Sequence, residues 1–189
     1  THLMGGQIVA TNIGGYDYQI ELTAYRDTIG VPMGLVAVFN VFEQDTSGGW
    51  ISLFTSSVNY DTTSGGLMPS VITVYGVEIY TFIDTITMPG DGYYAISWDE
   101  CCRNGAIINM SNPLSESMKL STFLTVDSLN PNSSPSYTTP PVAYLPAHTL
   151  WQYNPLPFDP DGDSLAWSSA TPLGQTNPVS GYEYLSDST

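Results

Sequence analysis

Short apolar stretches, alternating with period two and punctuated by Gly and Pro turns, run along most of this chain and leave little room for anything but β-sheet. Between Tyr16 and Tyr25, the residues Tyr18, Ile20, Leu22 and Ala24 alternate with Gln19, Glu21 and Thr23, as a strand buried on one face requires. Gln7 to Ile13 precedes it across Gly14-Gly15, a hairpin signal. Leu35 to Phe42 is more continuously apolar and suits a central strand, and Gly48-Gly49 then turns the chain into Trp50 to Val58. Val71 to Tyr75 and Val77 to Thr87 follow, and Met88-Pro89-Gly90-Asp91-Gly92 is a strong turn. Tyr94, Ile96 and Trp98 alternate with Ala95 and Ser97 in the next strand, and Lys119 to Val126 closes the unit. No amphipathic helix is visible, and Ser111 to Lys119 has room for one helical turn. Roughly seven to nine short strands with Gly- and Pro-rich turns predict an all-β fold, an immunoglobulin-like β-sandwich over residues 1–127.

A break follows near Ser128. Asn130-Pro131-Asn132-Ser133-Ser134-Pro135 and Thr139-Pro140-Pro141 form a stiff polar stretch. Residues 128–141 therefore read as a linker or as the edge strand of a second module. Beyond it, Thr149 to Tyr153, Ser164 to Ser168 and Tyr182 to Leu185 are short strand candidates. Residues 142–189 are too few for a full immunoglobulin-like domain of about 100 residues, so the second module is expected to be partial, or completed by a strand from elsewhere.

Eighteen acidic residues against 3 basic ones give a formal charge of -15. Nucleic acid is excluded as a partner, because phosphate binding needs clustered Lys and Arg, and anionic membrane surfaces are disfavoured for the same reason. Charged residues make up only 11% of the chain, so this is not a disordered acidic tail. Ser, Thr, Gly, Asn and Tyr supply the polar surface, as in a secreted β-protein. No stretch approaches the roughly 18 apolar residues of a membrane span. The chain begins at Thr1 without an initiator methionine, which fits a secreted chain whose signal peptide has been removed, with a trimmed chain as the alternative.

The run Phe158-Asp159-Pro160-Asp161-Gly162-Asp163-Ser164-Leu165 places carboxylates at alternate positions. Such a turn can converge on one hard cation, and calcium takes six to eight oxygens at about 2.3–2.6 Å. An EF-hand does not fit. Its sixth position needs glycine and its twelfth a glutamate, whereas those positions are Ser164 and Ala170, and Pro155 and Pro157 exclude a preceding helix. The motif instead resembles the Asp-x-Asp-Gly-Asp-x-Leu loop of cadherin-like and bacterial immunoglobulin-like surface repeats. Asp159, Asp161 and Asp163 are thus candidate calcium ligands. An acidic turn without metal is the alternative, although such close carboxylates repel one another unless a cation or a hydrogen-bond network offsets it.

Other chemistry is sparse. Cys101 and Cys102 are adjacent; they can close a vicinal disulfide, stay as thiols or pair between chains, and they match neither zinc nor redox spacing. His2 and His148 sit in no nucleophile or metalloprotease motif, and no pair of carboxylates stands out for glycoside hydrolysis. The chain is therefore expected not to be an enzyme. Arg26 and Arg103 lie beside acids and read as structural clamps, their planar forks engaging carboxylates or backbone carbonyls; a site for a ligand carboxylate is the sharper alternative. Among 13 tyrosines and 4 tryptophans, Tyr93-Tyr94 and Trp50 are candidates for a sugar-binding platform, though most aromatics fill a core or a sheet face.

Several motifs occur in order: Thr1-His2-Leu3-Met4-Gly5-Gly6-Gln7-Ile8, Tyr25-Arg26-Asp27, Gly92-Tyr93-Tyr94 leading to Trp98, Cys101-Cys102-Arg103-Asn104-Gly105, Asn132-Ser133-Ser134-Pro135, and the Asp-rich loop. Together they resemble the N-terminal region of large secreted surface proteins of Bacteroidota, of the gliding-motility-associated and type IX secretion sorting-domain kind. The resemblance covers most of the chain, and Cys-Cys-Arg-Asn is its most specific part. It implies export and surface display without naming a ligand. Relatives often carry a cysteine after Tyr-Arg-Asp, where this chain has Thr28, and the C-terminal sorting domain lies outside these residues. Six of the twelve aspartates open an Asp-Ser/Thr pair followed by a methyl-bearing residue. This resembles the O-glycosylation sequon of exported Bacteroidota proteins and makes Thr28, Thr62, Thr85, Ser128 and Ser188 candidate acceptors, while Asp-Ser and Asp-Thr are also ordinary turn formers.

The expectation is a non-enzymatic structural or adhesive module of an extracellular, cell-surface protein, stiffened by calcium. Its partners would be other copies of itself or other surface proteins, with surface glycans as a further ligand class. A filament subunit joined by strand exchange through residues 1–8 and a carbohydrate-binding module are the rival readings.

Overall fold

The computed structural model describes residues 3–60, 70–72, 76–139, 148, 152 and 154–184. Eight strands build the body: β1 (Leu3–Gly14), β2 (Asp17–Asp27), β3 (Val36–Gln44), β4 (Trp50–Asn59), β5 (Ser70–Ile72), β6 (Val77–Thr87), β7 (Gly92–Glu100) and β8 (Met118–Val126). Two antiparallel sheets, ordered β1-β2-β6-β5 and β4-β3-β7-β8, face each other. In immunoglobulin lettering these are A-B-E-D and C′-C-F-G, so the expected sandwich is the observed one.

The alternating residues of β2 explain the packing. Tyr18, Ile20, Leu22 and Ala24 are fully buried against Phe39 and Val41 of β3, Phe82 of β6, and Ile96 and Trp98 of β7, within one core. Gly14 and Gly15 turn β1 into β2 with φ of 136° and 55°, values that a side chain would strain. Gly6 serves a different purpose. A Cβ there would collide with the Thr23 carbonyl of the neighbouring strand β2 and stand 2.8 Å from Leu120 of β8, so the glycine admits the close approach of the β2 backbone on one side and of the facing sheet on the other. Between β6 and β7, Tyr94 turns its ring into the core and donates its hydroxyl to the Gly90 carbonyl at 3.0 Å. This is the tyrosine corner of immunoglobulin-like sandwiches. Burial, with the nearby Glu43 carboxylate adding to it, pushes the Tyr94 phenol pKa up.

The single helical turn expected between 111 and 119 is a 3-10 turn at Pro113–Ser115. The Val71 to Tyr75 strand is seen as β5, with 73–75 outside the described residues. Among the described residues no helix is long and apolar enough to cross a membrane.

After Val126 the described residues form two short strands, β9 (Ser136–Tyr137) and β10 (Pro157–Phe158), which pair with each other. The Ser164 to Ser168 candidate is irregular rather than a strand. Leu165, Ala166 and Trp167 instead line a recess against β1 and β8, so their apolar side chains are used without a ladder partner. Tyr182 to Tyr184 is likewise irregular, and of Thr149 to Tyr153 only Gln152 is described.

The segment beyond β8 does not leave the sandwich. The Ser134 amide donates to the Ala10 carbonyl and its hydroxyl accepts from the Ala10 amide, both at 2.8 Å, while the Ser133 hydroxyl accepts from Asn12 at 3.1 Å. Gln7 holds the Tyr137 backbone at both its amide and its carbonyl, at 2.9 and 3.2 Å. Further on, Lys119 of β8 donates to the Leu173 carbonyl at 3.0 Å, and Ser111 donates to that of Ser180 at 3.0 Å. The described residues within 133–139 and 154–183 thus cover the side of the sandwich where β1 and β8 are the edge strands.

Candidate functional site

Strand phase decides which aromatics reach solvent. In β7, Tyr94, Ile96 and Trp98 point inward, so Tyr93 and Ala95 point out. Ladder register then puts Phe42 of β3 and Phe123 of β8 on either side of Ala95 in one cross-strand row. Trp50, at the start of the edge strand β4, completes the group. Its ring centroid lies 5.6 Å from both Tyr93 and Phe123, and those two rings stack at 6.4 Å. Trp50, Tyr93 and Phe123 are 42%, 39% and 51% exposed, which leaves their faces open while Ala95 beneath them is covered. Trp50 and Tyr93 are therefore brought together, whereas Tyr94 is withdrawn into the core. Phe123 was missed in the sequence. Its signal is a large aromatic in the solvent phase of a strand whose other outward residues are Lys119, Ser121 and Thr125.

A second ring pair stands on the C-terminal segment. Tyr137 and Trp167 stack with centroids 5.5 Å apart and planes 18° from parallel. Beside them a 380 Å³ cleft opens towards Ser121 and Phe123, and a 420 Å³ recess opens towards Gly5 and Tyr25.

The Asp-rich loop sits at the joint between segment and sandwich. Asp159 accepts from the amides of Asp161 and Asp163 at 2.9 and 3.2 Å, which folds the turn, and Gly162 adopts φ 84° within it. Asp161 reaches out and accepts from the Ser133 amide at 2.6 Å. Backbone donors thus engage Asp159 and Asp161 and offset part of the repulsion between the carboxylates. Among the described residues no three Asp, Glu, His or Cys side chains gather at one point suited to a metal ion. The fit to calcium is therefore partial: the donor chemistry is right for a hard cation, but the oxygens are spread along the turn.

The scarce arginines are both buried. Arg26 pairs with Glu78 of β6 and donates to the Gly30 and Val31 carbonyls, the latter at 2.7 Å, gathering the loop after β2. Arg103 donates to Ser117 at 3.2 Å and to Leu173 at 2.9 Å, tying the C-terminal segment to the entry of β8. Burial pulls the Arg103 pKa down, with Glu116 opposing it. Cys101 and Cys102 are paired with each other across a cis peptide bond. Their loop runs beside β1, since Leu3 donates to the Cys102 carbonyl at 3.1 Å and Asn104 reaches Asp27 at 3.0 Å. Motifs far apart in the sequence, at 3–8, 25–27, 101–105, 132–135 and 159–163, are linked through β1 and its neighbours.

Of the Asp-Ser/Thr pairs, Thr85 is exposed on β6, and Thr28 and Ser128 are half-buried; Thr62 and Ser188 lie outside the described residues. Asp27 and Asp127 each accept the amide two residues on, from Ile29 and Leu129, at 2.9 Å, so both pairs form Asx turns. His148 is exposed, and His2 is outside the described residues. Compared with known proteins, the chain matches no family model, no curated protein and no solved structure.

Proposed function

We propose that this chain is a non-enzymatic structural and adhesive module of a secreted bacterial cell-surface protein. One observation carries the reading: the segment after the sandwich is fastened along the β1/β8 side by Ser133, Ser134 and Arg103, so the chain continues from a fixed base while a rigid sheet face carries exposed rings. A stalk or adhesin needs such a base, because a flexible junction would spread its binding surface over many orientations. The resemblance to exported Bacteroidota surface proteins agrees with it. Antibody labelling of intact cells, before and after protease shaving, tests the location. Signal on intact cells that shaving removes is expected; signal only after lysis would sink the proposal.

Calcium enters as a brace on the Asp159–Asp161–Asp163 turn. The support is the alternation of the carboxylates and the grip of Asp161 on Ser133, which puts the turn at the joint. Bound calcium would stiffen that joint and take no part in chemistry. At calcium a hundredfold above its Kd, stabilisation of about 2.7 kcal/mol is expected. Equal melting temperatures in calcium and in chelator would remove calcium from the account. Thr85, exposed beside Asp84, is the strongest acceptor for O-glycosylation, and intact-mass measurement of native material reads it directly.

Carbohydrate binding is the second reading, favoured by the open cluster of Trp50, Tyr93 and Phe123. Strand exchange through residues 1–8 is less favoured, because β1 is paired with β2 and Leu3 is fully buried within the chain. Ordered fibres under the electron microscope that vanish on deleting residues 1–8 would restore it.

A further inference from the structure

We infer that the cleft and recess flanking Tyr137 and Trp167 form a binding site for a neutral oligosaccharide. The inference rests on the carbohydrate reading above and gives it a location and a ligand class. The two cavities, 380 and 420 Å³, share Gly6, Gln7, Tyr137 and Trp167, and each falls in the range of roughly 300–1,000 Å³ usual for small-molecule sites. The ring pair stands between them as a partition with Tyr137 47% and Trp167 54% exposed, so ring surface is available to a ligand.

The lining selects the ligand. Among the described residues, neither cavity is lined by an Asp, Glu, Lys, Arg or His, in a chain with 18 acids. A charged ligand would lose water and find no counter-charge, and an anion would also meet the repulsion of a net charge of -15. A pyranose ring suits the site. Its C–H face, slightly positive, lies against the negative face of an aromatic ring, and its rim of hydroxyls meets Ser121 and Ser136 in the lining.

The site is also placed in advance. Gln7 holds the Tyr137 backbone at both its amide and its carbonyl and the Tyr137 ring stacks on Trp167, so less ordering is left to be done when ligand arrives. A Cβ at Gly5 would meet no atom within 4 Å, which keeps the recess open on the β1 side. Phe123 lines the cleft and also belongs to the sheet-face cluster, so a saccharide several units long would meet a second set of rings next to the first.

The test is a glycan array carrying neutral and acidic oligosaccharides, probed with the whole chain and with Trp167→Ala, Trp167→Phe, Tyr137→Ala and Trp50→Ala. Wild type is expected to bind neutral glycans. Trp167→Ala and Tyr137→Ala should weaken binding at least about tenfold, as loss of an aromatic anchor does. Trp167→Phe keeps a ring face and should stay within about threefold of wild type, which separates stacking from a folding defect, and unchanged melting temperatures provide a second control. Binding that survives Trp167→Ala but is lost in Trp50→Ala would overturn this site while leaving the carbohydrate reading in place. A preference for acidic glycans would overturn the ligand class. No glycan binding by folded wild type would overturn both the site and the carbohydrate reading, and would leave the structural module untouched.

Discussion

The sandwich and the segment that follows it are held by different forces. Between β1 and β8 the chain buries a continuous apolar core, with Trp98, Phe39, Phe82 and Leu22 at or near zero exposure. Beyond Val126 the described chain buries few large apolar side chains: Val179 is buried, whereas Leu156, Phe158, Trp167 and Leu173 are more than 40% exposed. That segment is held by discrete polar pins from Gln7, Ser133, Ser134, Arg103 and Asp161. Apolar burial is additive and spread over many residues, so the sandwich resists any one polar loss. A pinned segment depends on each donor and acceptor, because an orphaned buried group costs more than a hydrogen bond gains.

The sharpest way to break this contrast is to damage each region in its own terms. Trp98→Ala should cost about 3–5 kcal/mol and unfold sandwich and segment together in a denaturant titration; a segment that keeps its protection after the sandwich melts would deny that it depends on the core. Arg103→Ala should cost about 1–3 kcal/mol, since the Ser117 carbonyl loses the guanidinium and the Leu173 carbonyl keeps only its bond from the Lys119 amide. Limited proteolysis should then cut within 171–184 before any cut in the strands, and Arg103→Lys should rescue little, because an ammonium cannot reproduce the fork. Simultaneous loss of both regions would show them to be one cooperative unit. Ser134→Ala should cost about 1 kcal/mol and raise hydrogen exchange at the Ala10 amide with the rest of β1 unchanged.

The smallest effect is a pH dependence. The Asp91 carboxylate accepts from the Ser128 amide just after β8, and this bond holds its pKa below the ordinary carboxylate value. A depressed folded pKa contributes stability above the unfolded value, which is lost as pH falls through the folded one, so the joint should weaken below about pH 4. Glu100 has the opposite sign. Burial raises its pKa, so its contribution is present below the unfolded value and lost as pH rises through the raised one. Asp91→Asn should flatten the acid limb of a melting-temperature profile, and an unaltered limb would assign it to other carboxylates.

Much of the sandwich was legible because strand alternation is local. The phase of Tyr18, Ile20, Leu22 and Ala24 fixes which face is buried whatever the partner, and the Gly14-Gly15 and Gly48-Gly49 turns sit where they were read. The segment after Ser128 was harder, because its contacts are side chain to backbone across long separations, such as Ser134 to Ala10, and these leave no periodic trace. Ser164 to Ser168 carries a strand-like pattern but lies against the edge strands β1 and β8 without pairing with either. The platform was half legible. Trp50 and Tyr93 could be named from residue type, but Phe123 and the pair Tyr137–Trp167 depend on which elements become neighbours.

The sequence by itself determined the all-β class, the strand phases and the turns, because these follow from short-range sterics and apolar periodicity. Only the tertiary structure decided that the described part of the tail lies along the β1/β8 side, that Arg103 ties Leu173 to Ser117, and that Phe123, Tyr137 and Trp167 line one cleft. Those features depend on contacts between residues tens of positions apart, and register and packing, rather than local preference, bring such residues together.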